Sequence, residues 1–578
     1  MVRTQLILSD IEEVLGSGPA VMLGACCAHD QIDVACVEPV IDRAETIVNA
    51  AKTCRSLYEE ILPVLALRIN QELGIDISIL GYRLILGNWL RNFIEAVHER
   101  HLNLLQAFKL FPECYIANTC PPTGILASDY PEFQKHLQTA SYNRLLLLQI
   151  IKEIAPERFE GAFPLLPEDV HIFKNNWTMG DRVLHFFHRL RTIFPKRYVL
   201  VCNATLPYFS RFGVLRFLLQ GGSTFAIDHL KFSIDSRVPV RHIFRHSPLD
   251  LSSSDSCDPL RNVISALIPW NLPVFFLESL PEITRLAKRI PVKKISAVYT
   301  NFGIHNNTLL KVFLATCEPK PSLFCHQHGG RYCIDAIHFP FEYEREVATK
   351  VLLWGHDERG TYVPSLKLRS EKPIRKDREG LLLGLTSYNR YHQRYVLRPQ
   401  GGPYKLSQYH HGTQQLVSSI NPSIPITIRS SANIAGLFSR PASDPYYDKV
   451  LKPFDREAPR YTLYCVDHLG TTMLESISLS IPTVAVIEKR WTMFHPAAEG
   501  VMASLEQAGI IHYCPVSAAA FINERFSTID EWWRSEAVQT ALDAFRRRFA
   551  WPSHAPEKDL ISFFCSQSKQ EPGPDNRP

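Results

Sequence analysis

The chain has 578 residues, 46% of them hydrophobic and 21% charged, and a formal net charge of +5 from 63 basic and 58 acidic side chains. That apolar content offsets the entropy of ordering and excludes disorder across the chain. So small a charge excess on so long a chain argues against a protein built to grip duplex nucleic acid. No run reaches the roughly 18 apolar residues of a membrane span; the most apolar stretch, Ile264 to Leu277, is broken by Pro269, Asn271 and Pro273. The amino end carries acids where an export signal would continue its apolar core, so none is read there. The 14 cysteines include no CxxC pair and no zinc-finger spacing, which predicts reduced thiols in a cytoplasmic protein.

Up to about residue 155 the pattern is helical. A helix is predicted from Glu45 to Glu72, ending at Gly74. From Leu86 the apolar positions Leu86, Trp89, Leu90, Phe93, Ile94 and Val97 form an amphipathic stripe. Its other face carries Asn88, Arg91, Asn92, Glu95 and Glu99.

From about residue 196 short apolar runs alternate with helical segments. Tyr198–Cys202, Ser223–Ile227, Ile295–Tyr299, Pro321–Cys325 and Val351–Trp354 are predicted strands, with a helix over Tyr208–Leu219. The charged, proline-containing stretch Pro364–Gly380 reads as a crossover between domains. Leu381–Leu385, Ile424–Ile428, Thr462–Val466 and Thr483–Ile487 are the next strands. The last helix opens on the capping-box pattern Thr528–Glu531 and runs towards Phe549 with a break near Ser535, before a tail that is disordered by composition. This rhythm predicts two doubly wound α/β halves, the first with a large helical addition. Ligands in such sheets bind in loops at the carboxyl ends of strands.

Those loops hold the candidate site. After the strand ending at Val466 come Asp467, His468, Leu469 and Gly470, and then Thr471 and Thr472 open a helix that carries Glu475. One reading of Thr472 and Glu475 is a plain capping box. The other is anion capture: free amides, hydroxyls and the positive end of the helix dipole meet a phosphate, and Glu475, one turn in, reaches ribose hydroxyls. The second loop, His326–Gly330, follows a strand; Gly329 and Gly330 allow close backbone approach, and His326 or His328 supplies an imidazole for general-base work or phosphate binding. Both histidines are weak metal candidates, with no carboxylate at a matching spacing. Arg429 ends the strand Ile424–Ile428 and is placed to clamp a phosphate or carboxylate, or to stand on the surface. Asp467 is a candidate base or nucleophile, or a turn residue. Tyr409–Thr413 reads as a surface loop before a helix. Glu342, Glu344 and Glu346 would not share one helix face, so one of them at most points into a cleft. No GxGxxG, GxxxxGK[ST], GxSxG or HExxH motif occurs.

Several segments resemble the transferase family encoded in O-antigen and other surface-carbohydrate gene clusters. They are Tyr82–Arg100, His326–Arg331, Glu344–Gly355, Asp467–Thr483 and the closing stretch from Trp491 to Ala550. The resemblance implies a glycosyltransferase B-like enzyme, in which two Rossmann-like doubly wound domains face a cleft. Residues 1–365 would form the acceptor side, with the helical insertion at about 40–155. Residues 380–550 would hold the nucleotide sugar, and 566–578 would be a disordered tail. Thr471, Thr472 and Glu475 match the strand-to-helix donor element of such enzymes. The family's glycine-rich loop often continues with Tyr-Gly; here Tyr332 is followed by Cys333.

The expected reaction is sugar transfer from a nucleotide-activated donor to a surface polysaccharide, O-antigen or lipid-linked acceptor. His328 and Asp467 are the catalytic candidates, and His326, Gly329, Gly330, Arg429, Gly470, Thr471, Thr472 and Glu475 the binding ones. No cofactor, metal or nucleic acid is expected, because a helix dipole and an arginine balance the charge of the leaving group. The location expected is the cytoplasm, at the inner face of the membrane. Peripheral membrane contact through Trp532–Arg548 competes with a core reading of the same residues, which is preferred. The alternatives are another group transfer on surface sugars and a non-catalytic carbohydrate-assembly scaffold. A scaffold would not require the two loops to meet on one pocket.

Overall fold

The computed structural model describes residues 3–9, 19–24, 35–117, 124–175, 177–204, 224–251, 258–355, 361–362, 377–386, 391–397, 404–429, 453–553 and 556–567. The helix expected over Tyr208–Leu219, most of the crossover Pro364–Gly380 and the tail beyond Gln567 lie outside these residues.

Two parallel sheets organise the chain. Strands of the first are β1 (Tyr198–Val201), β2 (Phe225–Ile227), β3 (Ile295–Thr300), β4 (Ser322–His326), β5 (Lys350–Leu353) and β6 (Thr361–Tyr362), in the spatial order β6-β5-β4-β3-β1-β2. The second contains β7 (Leu381–Gly384), β8 (Ile426–Arg429), β9 (Leu463–Val466), β10 (Thr483–Val486) and β11 (Ile511–His512), in the order β8-β7-β9-β10-β11. Both sheets start in the middle, wind one way and then the other. Each therefore has a switch point where neighbouring connections leave in opposite directions, between β1 and β3 and between β7 and β9. The fold is α/β with two Rossmann-like halves on one cleft, as the strand rhythm and the resemblance imply.

Tyr198–Val201 and Leu463–Val466 are buried along their whole length, on both faces, which explains why such strands read as continuous apolar runs. The last helix, Pro556–Gln567, packs on the first sheet rather than the second: the Phe564 ring meets those of Phe225 and Tyr299 with centroids 5.7 and 5.6 Å apart. It runs two residues into the stretch read as a disordered tail.

The helical addition is built on helices Ala44–Leu73 and Ile79–Leu110. The first ends as expected, with Gly74 in the left-handed region at φ 62°. The second departs from its expected amphipathic reading, because Asn88, Arg91, Asn92 and Glu95 are as buried as the apolar stripe. Periodicity separates apolar from polar faces; it does not say whether the polar face meets water or other polar groups. Here it meets partners. Asn88 Nδ2 donates to Ile304 O, Arg91 pairs with Glu342 at 2.7 Å, and Glu95 accepts from the Tyr395 amide at 2.8 Å. That last bond ties the segment Tyr391–Leu397, which follows β7, to the first half.

Two smaller readings also change. Tyr409–Thr413 lies inside the helix Tyr404–Ser419, where a lone glycine is tolerated. The break at Ser535 is present between helices Ile529–Arg534 and Glu536–Phe549, but Thr528 makes no side-chain cap. Trp533, Leu542 and Phe545 are buried, so Trp532–Arg548 contributes to the core. Among the described residues no helix is long and apolar enough to cross a membrane.

Candidate functional site

The second sheet's switch point opens between β7, which continues as Leu385 and Thr386, and β9, which continues as Asp467–Gly470. The helix Thr471–Ser478 starts there with Gly470 as its N-cap, and no side chain caps it. The capping-box reading of Thr472 and Glu475 is thereby corrected: Gly470 rather than Thr472 occupies the cap position. The first amides of a helix have no intrahelical acceptor, and these begin at the cleft. Thr471 Oγ1 accepts from the Gly330 amide at 3.0 Å, which leaves its own hydroxyl proton to donate. Thr472 Oγ1 is 2.9 Å from the Tyr464 hydroxyl.

The partner of that contact comes from the first sheet. β4 ends at His326, and the loop Gln327–Gly330 reaches the Gly470–Thr471 turn directly. A Cβ on Gly330 would stand 2.6 Å from the Gly470 carbonyl carbon and 2.7 Å from the Thr471 nitrogen. Only glycine fits so close an approach. Gln327 braces the loop from behind, donating to Gly329 O at 2.8 Å and accepting from the Trp354 amide at 2.9 Å. Beyond Gly330 the backbone stays unusual: Arg331 and Cys333 have φ of 74° and 58°. Cys333, at the position where glycine was the expected residue, thus keeps the left-handed conformation that glycine adopts most readily.

The two loops line one cavity of about 430 Å3, within the usual range for small-molecule sites. His328, Gly329, Gly330, Arg429, Gly470, Thr471 and Thr472 all border it. Glu475 lies one turn below Thr471, is half-buried and does not border the cavity. His326 and Asp467 do not border it. His326 is buried within the first sheet with Nδ1 2.7 Å from the Tyr299 hydroxyl, which removes it from the expected binding set. Asp467 is committed elsewhere: its carboxylate accepts from the Thr386 amide at 2.9 Å and the Tyr409 hydroxyl at 2.5 Å, and its other oxygen holds His468 Nδ1 at 2.6 Å. That geometry suits positioning His468, which does border the cavity, better than attacking a substrate.

His328 has the more developed surroundings. Its Nδ1 is 2.8 Å from the Tyr332 hydroxyl and 3.3 Å from Glu344 Oε1. Tyr332 donates to the same Glu344 oxygen at 2.8 Å, and His305 Nε2 meets it at 2.9 Å. The His328 ring also packs on Phe302 with centroids 4.3 Å apart. With Nδ1 held by this group, Nε2 is the nitrogen left to act on a ligand. Glu344 is fully buried; burial alone would raise its pKa, yet hydrogen bonds from His305 and His328 outweigh this and hold it below the usual range. Burial and the Glu344 charge together push the Tyr332 hydroxyl well up, so it stays a donor. One of the three alternating acids therefore faces the cleft residues, as expected. The other two, Glu342 and Glu346, do share a face, both pairing with Arg55.

Sequence reasoning passed over two contributors, Arg394 and His305. Arg394 borders the cavity with its guanidinium 5.8 Å from the Phe339 ring centre, in a segment with no strand-loop-helix pattern to mark it. It gives the cleft a third arginine besides Arg429 and Arg331, the last of which is paired with Asp335. His305 and Glu344 reach His328 from other elements, a convergence that no local spacing reveals. Among the described residues two groups bring possible metal-ligand atoms together, His305/His328/Glu344 and His185/His188/Asp228. In both, imidazole and carboxylate are joined to one another at hydrogen-bond distances.

A family model described as LIC12162 family transferase matches residues 4–564. No curated protein matches the chain. Similar solved structures include the spinosyn rhamnosyltransferase SpnG complexed with spinosyn aglycone, 12% identical over 63% of this chain and 99% of that one, with a TM-score of 0.30. The glycosyltransferase SsfS6 of Streptomyces sp. SF2575 is 13% identical over 64% and 99%, TM-score 0.29. UGT89C1 of Arabidopsis thaliana complexed with UDP is 10% identical over 66% and 96%, TM-score 0.31. Scores this low leave the sheet topology to speak for the fold.

Proposed function

The chain belongs to the LIC12162 family of transferases, and from that premise we propose that it moves a sugar from a nucleotide-activated donor to a glycan or lipid-linked acceptor in the assembly of a surface polysaccharide or O-antigen. The observation that carries the reading is the meeting of the two loops, one from each sheet, on a single cavity bordered by a carboxylate-held histidine and by Arg429 and Arg394. A scaffold has no need of that convergence.

In this reading the donor's diphosphate lies at the start of the Thr471–Ser478 helix. The leaving group gains negative charge as the bond from the anomeric carbon to the phosphate oxygen breaks. Helix-end amides, the Thr471 and Thr472 hydroxyls, and Arg429 and Arg394 meet that charge as it develops. The acceptor hydroxyl gives its proton to His328 Nε2 as its oxygen bonds to the anomeric carbon, and Glu344 stabilises the imidazolium that results. Asp467 keeps the positioning role, through His468. Residues 1–365 form the acceptor side and 380–550 the donor side, and the enzyme works at the inner face of the membrane.

A melting-temperature screen over UDP-, GDP- and dTDP-sugars tests the reading, since a ligand that binds only the folded state raises the midpoint. One nucleotide series should raise it, and Thr472→Ala should abolish that rise while leaving the apo midpoint in place. A flat response across the whole series, or a rise that Thr472→Ala leaves intact, overturns the reading.

A further inference from the structure

The helix Met179–Arg191 is mounted the wrong way round for a soluble surface helix. Asp181, His185 and His188 face the protein. Thr178 and Asp181 form a reciprocal capping box, and Asp181 is buried. His185 and His188, one turn apart, both bring Nδ1 to Asp228 Oδ2, at 2.8 and 2.7 Å, just past the end of β2. His188 Nε2 reaches the Tyr198 hydroxyl at 2.8 Å. The apolar residues face out: Met179 is 77% exposed, Phe186 58%, Phe187 59%, Ile193 75% and Phe194 61%, with Val183 and Leu190 exposed between them. At 100° per residue Met179, Val183, Phe186, Phe187 and Leu190 make one continuous stripe.

An outward stripe of this kind needs an occupant, and the charges around it say which. Arg182 and Arg189 flank the stripe on the helix and are exposed, and Lys196 and Arg197 follow it. From Trp177 to Arg197 the only acid is Asp181, which is turned inward. Apolar side chains bordered by cations, with no acid among them, match the acyl boundary and anionic headgroups of a phospholipid leaflet. We propose that the outward face of helix Met179–Arg191, extended by Ile193 and Phe194, docks this protein on an anionic phospholipid surface. The helix lies in the interface without spanning it. This assigns the membrane contact to a surface far in sequence from Trp532–Arg548, and it holds whether or not the transfer reading does.

The full-length protein is floated with vesicles of phosphatidylcholine alone or mixed with phosphatidylglycerol, with no sugar substrate present. The mixed vesicles should bind it at least about tenfold better, and added salt should weaken that binding. Joint replacement Phe186→Ser and Phe187→Ser, and separately Arg182→Glu and Arg189→Glu, should each release it, with unchanged melting since all four side chains are exposed. Failure to float with phosphatidylglycerol, or flotation that survives both double variants, overturns the proposal. So does a dimer in size-exclusion chromatography that the phenylalanine variant dissolves without changing flotation, because the face would then be an interface between copies.

Discussion

Gly330→Ala is the sharpest perturbation of the junction between the two halves. The new Cβ would stand 2.6 Å from the Gly470 carbonyl carbon and 2.7 Å from the Thr471 nitrogen, both backbone atoms that no rotamer change relieves. Reaching ordinary contact of 3.4 Å requires the two loops to part by about 0.8 Å. That movement stretches the 3.0 Å bond from the Gly330 amide to Thr471 Oγ1. Overpacking at this level costs about 1–3 kcal/mol, and a displacement near 1 Å at a binding site costs on the order of tenfold or more in productive geometry. Adjacent Gly329 is the control. Its Cβ would meet Thr471 Oγ1 at 3.6 Å, an ordinary contact, and the variant should be close to neutral. Calorimetric titration of the nucleotide sugar selected by the melting screen, with urea unfolding of the same samples, reads both effects. Equal affinity in the two alanine variants and wild type would refute the claim that this junction sets the donor site.

Glu344→Gln should lower kcat by about a hundredfold while changing donor affinity less than about twofold, measured by steady-state transfer assays, because it removes the charge behind His328 and touches no donor group. Since the folded pKa of Glu344 lies below its ordinary 4.5, the stability it adds is present above that pH and is lost as pH falls through the folded value. Thermal melts should therefore show the variant losing less stability than wild type below about pH 4.5. Cys333→Gly should stabilise the protein by about 0.5–1 kcal/mol in urea unfolding, by relieving the left-handed backbone at φ 58°. Lys311 is fully enclosed, donating to Ile85 O, and burial lowers its pKa to about 7. The unfolded chain binds its proton up to the ordinary 10.5, so stability rises with pH between about 7 and 10.5. Lys311→Met should be the more stable form near neutral pH, and the difference should narrow by up to about 1.4 kcal/mol per pH unit across that window.

The strands were legible because each is a short apolar run closed by turn residues, and burial on both faces keeps the run unbroken. The loops after β4 and β9, and Arg429 at the end of β8, were legible for the same reason: once a strand's end is known, the carboxyl-edge rule points to the residues next to it. Convergence was not legible. His305, His328 and Glu344 come from a loop and two helices, and only the winding of the first sheet brings them to one carboxylate oxygen. The buried polar face of helix Ile79–Leu110 was not legible because a polar stripe looks the same whether water or Glu342 and Tyr395 lie opposite. Arg394 gave no signal because the segment Tyr391–Leu397 returns to the first half without forming a strand or helix of its own. The inverted helix Met179–Arg191 escaped notice since periodicity reports a stripe and not the side to which it is turned.

The central claim is that the amides at Gly470–Thr472, helped by Arg429 and Arg394, hold the leaving diphosphate. Calorimetry of a nucleoside against its 5′-diphosphate, with the base that the melting screen selects, tests it directly. The diphosphate should bind about a hundredfold more tightly than the nucleoside, and Thr472→Ala combined with Arg429→Ala should erase most of that difference. Equal affinities for the two ligands in wild type, or a difference that the double variant leaves whole, would contradict it.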